Sequence, residues 1–318
     1  MEMIFLLENF YIAVNAVVPM FVLICIGSLI KRLKLMTPEE IKHMNKMVFK
    51  IFFGVMMFYN IYNMDFSSTV QPKLMLFCIA GILLTIGISA PIVCHFVKEN
   101  TTRGAMIHAI YRSNYVFMGV PIAANIFGYE NISVTIMMIA IVVPMYNVLG
   151  VIILETFRGG KLSPLRMIKD VLKNTMIAGS IIGAIMNLLG INIPSPLLKP
   201  LGQICAATTP LALMILGASF TWSGVISRLK PLIATVACRL VVVPGIILTA
   251  GAMLGFRNVE FVTMISIFAA PCATASFTMA QEMHSDGQLA ASAVIFTSLL
   301  SCITLFGWIF ITKTLGMF

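Results

Sequence analysis

The chain has 318 residues, 59% of them hydrophobic and only 10% charged. Soluble domains carry about 25% charged residues, so a water-soluble enzyme or binding module is excluded and a polytopic membrane protein is indicated. The formal charge of +9 is divided among short loops between apolar segments, which reads as a topology signal and argues against nucleic-acid binding.

Apolar stretches long enough to cross a bilayer recur along the whole chain. The pattern predicts ten crossings, at residues 10–30, 44–63, 74–98, 104–127, 132–157, 174–191, 200–221, 231–254, 260–282 and 288–312. Glu2 and Glu8 stand where a signal peptide would carry basic residues, so a cleaved signal is not expected. Thr37-Pro38-Glu39-Glu40 before the second crossing has the hydroxyl, proline and acids of a helix start. Lys50 lies shallow in that crossing and can snorkel to the surface. Pro91 falls in the third crossing, and Gly128 suits the C-terminus of the fourth. Pro194-Ser195-Pro196 ends the sixth, with a restart expected near Leu197. Pro244 falls in the eighth.

Two segments are interrupted by proline at corresponding places. One is Ser113-Asn114-Tyr115-Val116-Phe117-Met118-Gly119-Val120-Pro121, the other Phe268-Ala269-Ala270-Pro271-Cys272-Ala273-Thr274-Ala275-Ser276. A helix-interior proline frees a backbone carbonyl, and lipid cannot satisfy it. A single break is commonly just a kink. A matched pair, one in each half, points to a transporter's midplane substrate site.

Residues 1–157 form a first five-crossing unit, 158–173 a basic linker and 174–318 a second unit. An odd number of crossings per unit inverts the second relative to the first. Lys31 to Lys46, Lys98 with Arg103, Arg158 to Lys173, and Arg228 with Lys230 then share one side of the membrane. The other side has only Lys73, Lys199, Arg257 and Lys313. The basic side is read as cytoplasmic, with both termini outside.

Arg112 and Arg239 are placed deep in the fourth and eighth crossings, with no Asp or Glu at that depth. The buried charge balance is positive and suits an anion, although either arginine could instead snorkel or brace backbone carbonyls. His108 precedes Arg112 by one helical turn; it is a candidate proton relay or a structural histidine. Asn15, Asn60, Asn147, Asn187, Thr208 and Thr209 read as interhelical hydrogen-bonding residues. The seven cysteines show no disulfide or metal spacing. Enzyme motifs are absent, so no catalytic residues, cofactor or metal are expected.

At these residues the chain resembles the auxin efflux carrier family of permeases, which includes plant auxin carriers and bacterial malate or malonate carriers. The resemblance is carried by Ser113-Asn114 through Gly119-Val120-Pro121-Ile122, Met145-Tyr146-Asn147-Val148-Leu149, Thr209-Pro210-Leu211-Ala212-Leu213 to Gly217-Ala218-Ser219, Arg239-Leu240 with Pro244, and Ala270-Pro271 to Ala280-Gln281-Glu282. Where the family has a proline in the second crossing, this chain has Phe53-Gly54-Val55, with Gly54 available for a bend.

The resemblance implies an all-α fold of two inverted five-helix repeats, with crossing helices 4 and 9 meeting near their prolines. It also implies elevator-type transport of organic anions. The expected substrate-binding residues are Asn114, Pro121, Pro271, Thr274, Arg112, Ser113 and Ser276. Expected partners are a small organic anion such as a dicarboxylate and membrane lipid, in a plasma or inner membrane; a homodimer is compatible. The coupling ion stays open between proton, sodium and none. The alternative is an anion-sensing receptor or channel using the same pocket, which counterflow would distinguish.

Overall fold

The computed structural model describes residues 2–64, 71–159, 171 and 173–318, with side chains from Val17 onward. The central basic linker expected at 158–173 falls mostly outside the described residues. Among the described residues the fold is all helical, with one isolated antiparallel bridge.

Helix α1 (Glu2–Arg32) is followed by α2 (Pro38–Met47), which passes through a π turn at Val48–Phe52 into α3 (Phe53–Tyr62). Next come α4 (Pro72–Phe96), α5 (Asn100–Tyr111), a π turn at Tyr115–Gly119, α6 (Val120–Phe127), α7 (Ser133–Met137) and α8 (Ile139–Thr156). The second part holds α9 (Thr175–Leu188), α10 (Ser195–Ser219), α11 (Trp222–Ser227) and α12 (Leu229–Ala237). A π turn at Cys238–Val242 leads into α13 (Val243–Met253), then α14 (Asn258–Phe268), α15 (Thr274–Glu282) and α16 (Gly287–Thr314).

Among the described residues, five stretches are long and apolar enough to cross a bilayer: Pro72–Phe96, Ser133–Thr156, Ser195–Ser219, Leu229–Met253 and Gly287–Thr314. Outward-facing Leu84, Ile88, Ile246 and Ile303 are each more than half exposed. So much exposed aliphatic surface is costly in water and natural in lipid.

Local sequence explains the helix ends. Thr37 caps α2: its Oγ1 accepts the Glu40 N–H at 3.3 Å, while the Glu40 carboxylate accepts the Thr37 N–H at 2.6 Å. Gly128 (φ 80°) stops α6, where a side chain would be strained. Helix α10 restarts at Ser195, directly after Pro194, two residues before the expected Leu197.

The two parts exchange partners. Helix α1 packs along α10, and α3 packs along α9. Both contacts depend on missing side chains. A Cβ on Gly27 would overlap the Met214 carbonyl, and one on Gly217 would overlap the Ile24 carbonyl. A Cβ on Gly179 would overlap the Gly54 carbonyl. Helix backbones therefore touch directly, as small residues allow in membranes. Gly54 serves this contact. A helical irregularity sits just before it, at the Val48–Phe52 π turn.

Candidate functional site

Helix α5 stops at Tyr111, because Arg112 is extended (φ −85°, ψ 113°) and Asn114 is also non-helical. Helix α14 stops at Phe268, and Ala273 is extended before α15 begins. The two non-helical stretches cross. Ser113 and Cys272 form the antiparallel bridge. The Asn114 N–H donates to the Pro271 carbonyl at 2.7 Å, and the Ala273 N–H donates to the Arg112 carbonyl at 3.3 Å. The Cys272 N–H is taken by Thr297 Oγ1 of α16 at 3.0 Å. Each break thus supplies hydrogen bonds that the other lacks, which lipid could not do.

Four half-helices end at this crossing, and their ends are treated differently. Arg239, in the π turn between α12 and α13, is completely buried. Its guanidinium donates to the carbonyls of Ile110 (3.0 Å) and Tyr111 (3.2 Å) at the end of α5. It also donates to Ile267 (3.0 Å) and Ala270 (2.9 Å) at the end of α14. One cation therefore caps both C-terminal, electronegative helix ends. The two N-terminal ends, at Asn114–Tyr115 and Ala273–Thr274, have no side-chain cap. Their positive dipole ends stay available to an anion.

A cavity of about 70 Å³ lies against the uncapped ends. Arg112, Ser113, Asn114, Tyr146 and Thr274 line it from one side, and Met57, Asn60, Met176 and Thr209 from the other. Arg112 is the only charged residue in the lining. Asn114 Nδ2 and Thr274 Oγ1 are buried there without a hydrogen-bond partner among the described residues. Buried polar atoms are rarely left unpaired, and those that are commonly await water or a ligand.

The Arg112 side chain is oriented by neutral acceptors. It donates to Asn147 Oδ1 at 2.7 Å, to the Tyr146 carbonyl at 3.3 Å and to Met279 Sδ at 2.9 Å. His108 Nε2 lies 3.5 Å from the same guanidinium, as their shared helix face predicts. Among the described residues no carboxylate pairs with Arg112, so its positive charge is expressed at the crossing. Ser113 Oγ pairs with the Tyr146 hydroxyl at 3.0 Å, which ties the break after α5 to α8.

The structure brings Arg112, Ser113, Asn114, Thr274 and Pro271 to one place. It does not bring Pro121 there. The fourth crossing breaks at Arg112–Asn114, and Pro121 instead sits in the first turn of α6, just beyond the π turn. A proline is tolerated there because no N–H is required of it. The counterpart of Pro271 in the crossing is therefore Ser113–Asn114. Ser276 is fully buried beside the Cys272 thiol, outside the cavity lining. Asn60 and Thr209, which the sequence suggested as helix–helix ties, line the cavity, and Asn60 is also such a tie, its Oδ1 accepting from Cys205 Sγ of α10 at 3.5 Å. Tyr146 and Met57 were not legible as site residues. The Met145-Tyr146-Asn147 run marked the fifth crossing without saying which side chain turns inward.

Two broken helices crossing in an apolar, multi-span helical body, with uncapped positive ends at a buried cavity, define a membrane transport protein. Residues 12–309 match the Membrane transport protein family, and the chain belongs to it; this is the auxin efflux carrier family of permeases. An uncharacterized transporter of Methanocaldococcus jannaschii is 26% identical over 309 residues, covering 94% of this chain and 99% of its own. An uncharacterized transporter of Methanothermobacter thermautotrophicus is 23% identical over 301 residues, covering 92% of this chain and 96% of its own.

Proposed function

We propose that this transporter is a secondary carrier of small organic anions, such as dicarboxylates, which bind where the two broken helices cross. The observation that carries this reading is the asymmetric capping at the crossing. Arg239 neutralises both negative helix ends, the two positive ends are open, and the cavity lining has Arg112 and no carboxylate. A carboxylate would be held by helix N-termini, with Asn114 and Thr274 supplying the polar contacts they now lack.

Movement is by alternating access of the elevator type. Helices α1, α3, α9 and α10 form a scaffold, and the helices around the crossing form the moving part. The cavity has lining from both. Its 70 Å³ is well below the 300 Å³ or more of usual ligand pockets. A dicarboxylate would therefore enter only as the parts separate. The fold is read as two inverted five-helix repeats, residues 1–157 and 174–318. The reciprocal packing of α1 on α10 and of α3 on α9 supports this, since an inverted pair would repeat one contact twice. The basic loops are read as cytoplasmic and both termini as outside, and the charge pattern supports that orientation.

Purified protein in liposomes tests this. The expected result is uptake and counterflow of a labelled dicarboxylate, with pH, sodium and membrane potential varied independently to identify the driving ion. Absence of flux across a broad panel of organic anions overturns the substrate class. Binding without counterflow overturns the carrier reading in favour of a receptor or channel.

A further inference from the structure

Away from the crossing, a groove of about 1030 Å³ opens between α4 and the α12–α13 segment. Leu84, Ile88 and Ile92 line one wall, and Val242 and Ile246 the other. All five are about half exposed. The floor is buried, formed by Ile110 of α5 and Ile247 of α13. The lining from Phe77 to Val97 follows α4 over about 30 Å at 1.5 Å per residue, the thickness of the bilayer's hydrocarbon core.

The two ends of the groove differ in charge. At one end lie Lys98, Lys230, Arg228 and Glu99. Arg228 is already engaged, 2.7 Å from Asp286 and 3.4 Å from Glu99. Lys98 and Lys230 have no hydrogen bond or ion pair among the described residues. At the other end the groove closes at Leu254, whose carbonyl takes the Lys73 ammonium at 2.8 Å. The free positive charge therefore sits at one mouth only, the mouth that the charge pattern assigns to the cytoplasm.

An apolar trough as long as a membrane, with unpaired lysines at one end, matches the two parts of an anionic lipid. We propose that the groove is a binding site for an anionic phospholipid, its acyl chain lying along α4 and its phosphate held between Lys98 and Lys230. A zwitterionic lipid offers the same tail but no net charge to the lysines. The groove wall includes Cys238, next to Arg239, and its floor residue Ile110 gives its carbonyl to that arginine. The occupant consequently packs directly behind the helix crossing.

Lipid retention tests the site without measuring transport, so its outcome is separate from that of the substrate assay. Delipidated full-length protein is titrated with phosphatidylglycerol and with phosphatidylcholine, and the bound lipid is counted by native mass spectrometry. Each surface lysine contributes about fivefold to binding of an anionic lipid. Phosphatidylglycerol should bind more tightly, and Lys98→Gln with Lys230→Gln should lower its affinity about thirtyfold. Phosphatidylcholine should be little affected. Lys73→Gln, at the closed end, should change neither. Ile88→Trp, which fills the trough, should lower retention of both lipids. No preference in the unaltered protein, or a preference that survives in the double variant, overturns the proposal. Should the double variant not fold, the single variants decide it: each should lose about fivefold, and unchanged affinity in both has the same force.

Discussion

Arg239 donates through Nε to the carbonyl of Ala270 at 2.9 Å, across 31 positions of sequence. With its three other backbone bonds this makes a single side chain the common terminus of two interrupted helices. A lysine in its place could not reach four carbonyls arranged around a planar fork. Arg239→Lys should lower stability by about 2–4 kcal/mol, because buried carbonyls on both helices lose their donors. Thermal unfolding in detergent measures this; an unchanged midpoint would mean that the crossing holds without the clamp.

Asn114 makes the opposite prediction. Its amide nitrogen has no partner among the described residues, so removing it should leave the fold intact. Asn114→Ala should leave expression and melting close to those of the parent and reduce anion binding at least tenfold, about 1.4 kcal/mol. Thr274→Val should act in the same direction with a smaller loss. Ser276→Ala, outside the cavity lining, should leave binding unchanged. Ligand-induced thermal shift separates these cases, and equal losses for all three variants would dissolve the assignment.

The scaffold contacts leave no room for side chains. Gly217→Val and Gly179→Val should each destabilise by about 1–3 kcal/mol or prevent assembly, since a Cβ would meet backbone carbonyls that cannot rotate away. Gly307, with nothing near its Cβ position, is the control and should accept alanine freely. The yield of monodisperse protein on size exclusion reads the difference.

The start of α2 carries a pH signature outside the membrane. Hydrogen bonds from the Thr37 backbone and hydroxyl hold the Glu40 carboxyl below its ordinary value. A lowered folded-state pKa stabilises the folded form above the unfolded value, and that contribution disappears as pH falls through the lowered value. Protection of the α2 amides should therefore weaken on acidification below about pH 4.3, and Glu40→Gln should flatten the response. Hydrogen exchange, corrected for intrinsic rate, would show a pH-independent profile in the parent if the capping box carried nothing.

Much of this architecture is legible in the chain, though unevenly. Five of the ten expected apolar spans, the Thr37 helix start and the stop at Gly128 follow from local chemistry and lie where the pattern puts them. Pro271 marks a true interruption because a missing N–H acts locally. The fourth crossing misled for the complementary reason. Its helix ends at Arg112–Asn114 because distant backbone groups, Pro271 and Ala273, bond to it, and no local residue announces such a pairing. Pro121 was the visible signal and marks only the resumption of the helix. Arg239 was ambiguous between ligand and brace, since only the position of the carbonyls around it decides.

The exchange of partners between the two parts also constrains how this molecule is made. Helix α1 leaves the ribosome before the helix it packs along, α10, which follows more than a hundred residues later. Until then its glycine face at Gly27 has nothing to close against. At ordinary rates of about 5–20 residues per second, the newborn chain waits on the order of ten seconds or more with that seam open. Biogenesis would then hold its most exposed moment early, in a window when an insertion chaperone or a premature stop would meet a half-built scaffold.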